Sequence, residues 1–220
     1  MKIGLLTPTL GGIRQPFLEH NKYLMSIQTL QPDVVEIVND PQVQFPNDIN
    51  IRYRIGCERL FNCHGCDIVV FIEDDDWYCS TYIEKMISKW NESGRPSMLG
   101  INNTLYYQLR LQKYSNYLHD IRSSMMCMLV TREIMNIEFP NVKFLDHYLW
   151  SEYKGTKKAA KFDEFICMGI KHGIGQVGGD GHSTTENLEM WREQDCDYRY
   201  LQKILINDKK SFEFYKNIIK

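Results

Sequence analysis

Four carboxylates in a row, Glu73-Asp74-Asp75-Asp76, follow five consecutive apolar residues, Ile68 to Ile72. The apolar run reads as a strand buried on both faces. Acids clustered at the tip of such a strand repel one another unless positive charge sits among them. A divalent cation with oxygen ligands, shared with a phosphate, meets that need. In open α/β sheets ligands bind outside the carboxyl ends of the strands, so the segment is a candidate metal–diphosphate site. The plain alternative is a solvated acidic turn; the wholly apolar strand before it and Trp77-Tyr78 after it argue against that. A further acid, Asp146, stands isolated between Leu145 and His147. Its type suits a proton acceptor, or a helix N-cap.

The elements that would position these residues follow from punctuation and periodicity. Lys2 to Thr9 reads as a first strand, and the loop Leu10 to Gln15 carries Gly11, Gly12 and Arg14. Pro16 suits the first turn of a helix with Phe17, Leu24 and Ile27 on one face and Pro32 closing it. Val34 to Val38 is a second buried strand ending in Asn39-Asp40-Pro41. This is βαβ punctuation and predicts a parallel sheet with a right-handed crossover. After a polar loop over 42–50, Ile51 to Arg54 reads as a short strand and Gly56 to Cys63 as a short helix with Arg59. Thr81 and Glu84 have capping-box spacing, and Ile83, Met86, Ile87 and Trp90 give a core-facing helical stripe. Strands are expected over 98–102, 104–112, 125–130 and 162–168, with a short helix over 146–153. The stretch 169–183 has six glycines with His172 and His182, and helices close the chain from Glu186. Tyr106, Tyr107, Tyr114 and Tyr117 read as core rather than as a sugar platform. Lys154, Lys157, Lys158 and Lys161 read as a solvated face.

Composition excludes several classes. The 220 residues allow one large domain, and 43% apolar content suits a globular core. A net charge of −2 gives no general attraction to nucleic acid or anionic membrane. No window approaches a membrane-spanning helix, and the N-terminus reads as a strand rather than a signal peptide. Seven scattered cysteines fit a reducing, cytoplasmic setting. Cys63-His64-Gly65-Cys66 has CxxC spacing but no second ligand pair for zinc, and it precedes a strand rather than opening a helix.

The order of parts resembles a GT-A fold glycosyltransferase of the family 2 type. The resemblance rests on Thr7-Pro8-Thr9 ending the first strand, Asp40 ending the second, the run FIEDDDWYCSTYIE, and the run FLDHYLW over 144–150. It covers most of residues 2–150, and the compact size is similar to that of small soluble sugar transferases of large algal DNA viruses. It implies one α/β domain with a Rossmann-like nucleotide-sugar-binding half (1–100) on a mixed central sheet, an acceptor-side half with a lid loop (101–185), and C-terminal helices (186–220). It implies Mn²⁺ or Mg²⁺ held by a DxD segment, with Asp74, Asp75 and Asp76 as candidates and a register starting at Glu73 also open. His182 or His172 would complete the metal shell. Thr7, Pro8, Thr9, Arg14, Asp40, Arg54, Arg59, Asp74 and Asp75 would line the donor site, with Asp40 at the base of a UDP-sugar. Asp146 would be the general base of an inverting transfer to a glycan or glycoprotein acceptor, with neither nucleic-acid partner nor membrane span.

Two rival readings stay open. A sugar nucleotidyltransferase shares an α/β sheet with metal acids, but its first loop carries lysine with arginine, and here that loop is LGGIRQ. The other rival is a nucleotide-sugar-binding domain without turnover, which Asp74 to Asp76 and Asp146 together argue against.

Overall fold

The computed structural model describes residues 1–40, 48–174 and 191–219. The polar loop over 42–47, most of the glycine-rich stretch including His182, and Leu188 lie outside the described residues.

Two sheets meet at the acidic segment. The first has strand order β2-β1-β3-β8-β5-β9, with β1 Ile3–Pro8, β2 Val34–Val38, β3 Ile68–Phe71, β5 Met98–Ile101, β8 Met128–Thr131 and β9 Lys157–Ala160. β1 lies parallel to β2 and β3, whereas β8 is antiparallel to both β3 and β5, so the sheet is mixed. β1 and β3 are buried along their whole lengths, in keeping with sequences that are apolar but for Thr7 of β1. The second sheet has order β11-β7-β6-β10-β4, with β4 Trp77–Tyr78, β6 Asn103–Gln108, β7 Lys113–Leu118, β10 Cys167–Lys171 and β11 Glu193–Gln194. β3 belongs to one sheet and β4 to the other, so Ile72 to Asp76 is the link between them.

Helix α1 (Gln15–Ser26) connects β1 to β2 and has Pro16 in its first turn; it ends well before Pro32. Helix α2 spans Ile49–Glu58 and runs into a π turn over Arg59–Cys63. The strand expected over 51–54 is therefore helix: its apolar residues are short-range partners on a helical face that packs on β1. A Cβ on Gly56 would stand 2.0 Å from Leu6 Cδ1, so only glycine lets α2 lie this close to the sheet. Helix α3 (Tyr82–Glu92) buries Ile83, Met86, Ile87 and Trp90 as the stripe predicts. Its capping box does not form. Thr81 makes no side-chain cap, and Glu84 instead accepts from Thr29 Oγ1 at 2.7 Å. Residues 125–127 form a 3₁₀ turn ahead of β8, and the strand expected over 162–168 starts later, as β10.

Helix α4 (Leu145–Glu152) buries Leu145, Leu149 and Trp150 in the same apolar cluster as Tyr53 and Phe71. Lys157 Nζ donates to the carbonyls of Trp150 and Tyr153 at 2.5 and 2.9 Å, capping the end of α4. This lysine thus has a structural partner rather than the purely solvated setting expected of it. The C-terminal helices are α5 (Arg199–Ile204) and α6 (Lys209–Asn217). Asp208 caps α6 and also accepts from Trp77 Nε1 at 3.0 Å, tying the tail to the residue after the acidic link. Tyr107 is core and donates to Asp195, and Tyr114 stacks on Tyr200 with centroids 3.6 Å apart. The cysteines are unpaired, with Cys63 exposed and Cys66 buried.

Candidate donor and metal site

The tips of β1 and β3 lie side by side: Leu6 pairs with Phe71, and Ile72 N–H donates to Leu6 C=O at 3.0 Å. This sets Thr7-Pro8-Thr9 against the acidic link. Each acid has its own environment. Glu73 accepts from Tyr53 Oη at 2.7 Å, and its carbonyl accepts from Asn21 Nδ2 of α1 at 2.9 Å. Asp74 accepts from Thr9 Oγ1 at 2.6 Å and pairs with Arg14 at 2.5 Å. Asp75 Oδ2 meets both Arg14, at 2.5 Å, and His172 Nε2, at 2.9 Å. Asp76 Oδ1 accepts from Ile170 N–H of β10 at 2.7 Å, whereas its Oδ2 is buried without a hydrogen-bond donor.

Ligand atoms of Glu73, Asp75 and Asp76 all lie within 4.8 Å of one another. The Glu73-x-Asp75 register therefore converges, together with Asp76, while Asp74 turns away to Thr9 and Arg14. The pKa shifts reflect crowding. Burial, then Asp75, pushes Glu73 up to about 7. Burial raises Asp74 to about 6, Arg14 opposing it. Asp76 is held well above the usual range by burial and by Asp75. For Asp75 burial acts the same way, but Arg14 and His172 outweigh it and hold the carboxyl well below its ordinary value. Arg14 is the main counter-charge, and Lys171, at the end of β10, acts on Glu73, Asp75 and Asp76 as a second cation. Four buried or half-buried carboxylates thus face two fixed cations, and one oxygen has no donor. A dication with oxygen ligands fits both features.

The remaining sequence candidates lie further out. Asp40 is over half exposed at the end of β2, with Arg59 3.6 Å away; Arg59 also binds Glu36 at 2.8 Å. Arg54 pairs with Glu58 along α2 at 2.7 Å, a surface ion pair. Thr7 Oγ1 is buried beside Pro8 without a hydrogen-bond partner. Asp146 lies in the first turn of α4; Phe144, not Asp146, occupies the cap position. Arg122 pairs with Asp146 at 2.9 Å. Burial raises the Asp146 pKa against the pull of His147 and Arg122. Tyr106 is hydrogen-bonded to Ser124, and burial pushes its hydroxyl pKa well up, with Asp146 and Asp76 adding to the shift. Sequence reasoning missed Asn21, Tyr53, Arg122 and Lys171, and it read Tyr106 as core. A tyrosine inside an apparent strand and a lysine closing an apolar run carry no local signal of a partner twenty or more residues away.

No family model matches the chain, and no curated protein matches it in sequence. Solved structures do. Residues 1–349 of TarS from S. aureus, in complex with UDP-GlcNAc, are 10% identical with a TM-score of 0.53, over 84% of this chain and 62% of that one. The chain spans 37% of the longer TarS structure, at 9% identity and a TM-score of 0.51. A197 from STIV is 19% identical over 73% of this chain and 82% of its own, with a TM-score of 0.46. A glycosyltransferase involved in the glycosylation of the major capsid of PBCV-1 is 11% identical over 70% and 67%, with a TM-score of 0.37. The last two likenesses are too loose to bear on this chain. The TarS likeness is one of fold, and with the mixed sheets described above it makes this an α/β chain of the glycosyltransferase GT-A fold.

Proposed function

We propose that this chain is a metal-dependent glycosyltransferase that moves a sugar from a nucleotide-diphosphate sugar, a UDP-sugar in preference, to a hydroxyl of a glycan or glycoprotein. The observation that carries the reading is the charge deficit at the strand tips, where Glu73, Asp75 and Asp76 converge and Asp76 Oδ2 has no donor. The TarS fold neighbour, solved with UDP-GlcNAc, supports the donor class.

In this reading Glu73, Asp75 and Asp76 hold Mn²⁺ or Mg²⁺. A cation held there would supply positive charge to a departing diphosphate. Thr9 and Arg14 flank the same position, and Arg14 adds a fixed charge that needs no reorganisation. Asp40, with Arg59 beside it, sits at the open end of β2 where the base of the nucleotide would lie. Asp146 takes the proton of the attacking acceptor hydroxyl. A raised pKa makes it a better proton acceptor, and Arg122 holds it in place. With Asp146 as the base, the transfer is read as an inverting one. Among the described residues no helix is long and apolar enough to cross a membrane.

Calorimetric titration with UDP-, GDP- and dTDP-sugars, in Mn²⁺ and in EDTA, tests the reading on the wild type and Asp76→Ala. Binding of one donor that needs the metal and vanishes in the variant is the expected result. Absence of nucleotide binding in every condition would reduce the acidic link to a structural turn.

A further inference from the structure

His172 follows β10 directly and is fully buried. Its Nε2 lies 2.9 Å from Asp75 Oδ2, and its Nδ1 lies 3.0 Å from the backbone nitrogen of Ile174. An amide N–H only donates, so Nδ1 is the acceptor of that bond and carries no proton. The proton of the neutral ring is then on Nε2, directed at Asp75. The ring plane is fixed as well: Phe17 of α1 packs on it with centroids 4.2 Å apart, and Phe214 of α6 packs edge-on against Phe17 at 5.7 Å.

A histidine that ligates a metal must present a bare ring nitrogen to it. Here the bare nitrogen is taken by the chain's own backbone, and the other nitrogen bears the proton. We propose that His172 is a positioning residue rather than a metal ligand: as an Nε2–H donor it fixes the Asp75 carboxylate, with the cation bound as well as without it. Together with Arg14 it loads Asp75 Oδ2 from two sides, which would leave Oδ1 for a cation. The α1–α6 aromatic stack thereby links the C-terminal helix to the orientation of one carboxylate. This inference rests on the metal reading above.

The test is nitrogen NMR of the histidine rings in ¹⁵N-labelled protein, with His172→Gln used to assign the signals. Spectra are taken metal-free and in saturating Mg²⁺, which is diamagnetic. The expected result is a protonated Nε2 and a bare, hydrogen-bonded Nδ1 in both. A proton on Nδ1, or loss of the Nε2 proton on adding Mg²⁺, would overturn the proposal. Mn²⁺ titration gives the second readout. His172→Ala weakens binding about 10–100-fold, the usual effect of losing an outer partner, and His172→Gln, whose amide N–H reaches the same place, recovers part of it. Unchanged Mn²⁺ affinity in His172→Ala would also overturn it. If the wild type binds neither ion, the metal reading fails on its own, and the metal-free spectrum still decides whether His172 donates to Asp75.

Discussion

The two acidic centres of this molecule are built in opposite ways. The first is a crowded knot: Glu73 to Asp76 sit on the link between two sheets, with Asp74 to Asp76 at most 4% exposed and Arg14 wedged between two of them. The second is a single acid, Asp146, on the first turn of a short helix, held by one half-exposed arginine. The first site is costly to leave without a counter-ion, because buried like charges raise one another's pKa. The second has its charge met by one arginine and needs no further counter-ion. The comparison teaches that the two proposed roles, holding a cation and accepting a proton, call for different burial.

Asp146→Asn should separate the two sides most sharply. Transfer falls about 10²–10⁴-fold, the range of general-base removal, while calorimetry finds donor and metal binding unchanged; retained transfer would remove Asp146 as the base. The reverse experiment is Asp76→Asn, which keeps the acceptor for Ile170 N–H and deletes the charge. Metal binding should drop by more than the roughly 100-fold upper range of an outer partner. The metal-free protein should melt higher, because the cost of burying an ionisable carboxyl beside other acids is gone. A lower melting temperature with metal binding intact would show that Asp76 is a structural acid.

The arginines sharpen the contrast further. Arg14→Ala strands two buried carboxylates and should cost about 3–5 kcal/mol in chemical denaturation, partly restored by Mg²⁺. Arg122→Ala removes a partly exposed pair and should cost about 1 kcal/mol or less. Similar costs for the two would mean that the burial difference is not energetic.

The smallest effect is on pH. Glu73 titrates near 7 in the fold, above its ordinary 4.5, so the metal-free fold holds this proton more tightly than the unfolded chain does. The stability this contributes is full below the ordinary value and is lost as pH rises through about 7. Asp75 has the opposite sign, its contribution disappearing only in strong acid. Melting curves across that window should therefore show the metal-free protein weakening towards neutral pH. The gain on adding Mg²⁺ should grow over the same range, since the cation needs Glu73 ionised. A gain that is flat with pH would exclude Glu73 as a ligand.

Much of the acidic link and the strands beside it was legible in the chain because their signals are local. An apolar run ending in acids, Thr-Pro-Thr closing the first strand, and Pro16 opening a helix each depend on neighbours in sequence. The stripe from Ile83 to Trp90 was readable for the same reason. The errors arose where distant packing overrode local pattern. Residues 51–54 look like a strand by composition, yet α2 forms there because Gly56 admits it against Leu6. The expected capping box at Thr81 lost its glutamate to Thr29.

The sequence by itself determined that acids cluster at the tip of a buried strand, that the first half is a βαβ unit, and that a lone acid stands far downstream. Those are statements about residue type and spacing, which short-range sterics and hydrophobic periodicity control. Only the tertiary structure decided the division of labour among the acids. Asp74 faces Thr9 and Arg14, while Glu73, Asp75 and Asp76 converge, because α1, α2 and β10 each deliver one partner to the link from a different part of the chain. Adjacent residues on a bent link point different ways, and which way each points is set by the partner that packing brings to it.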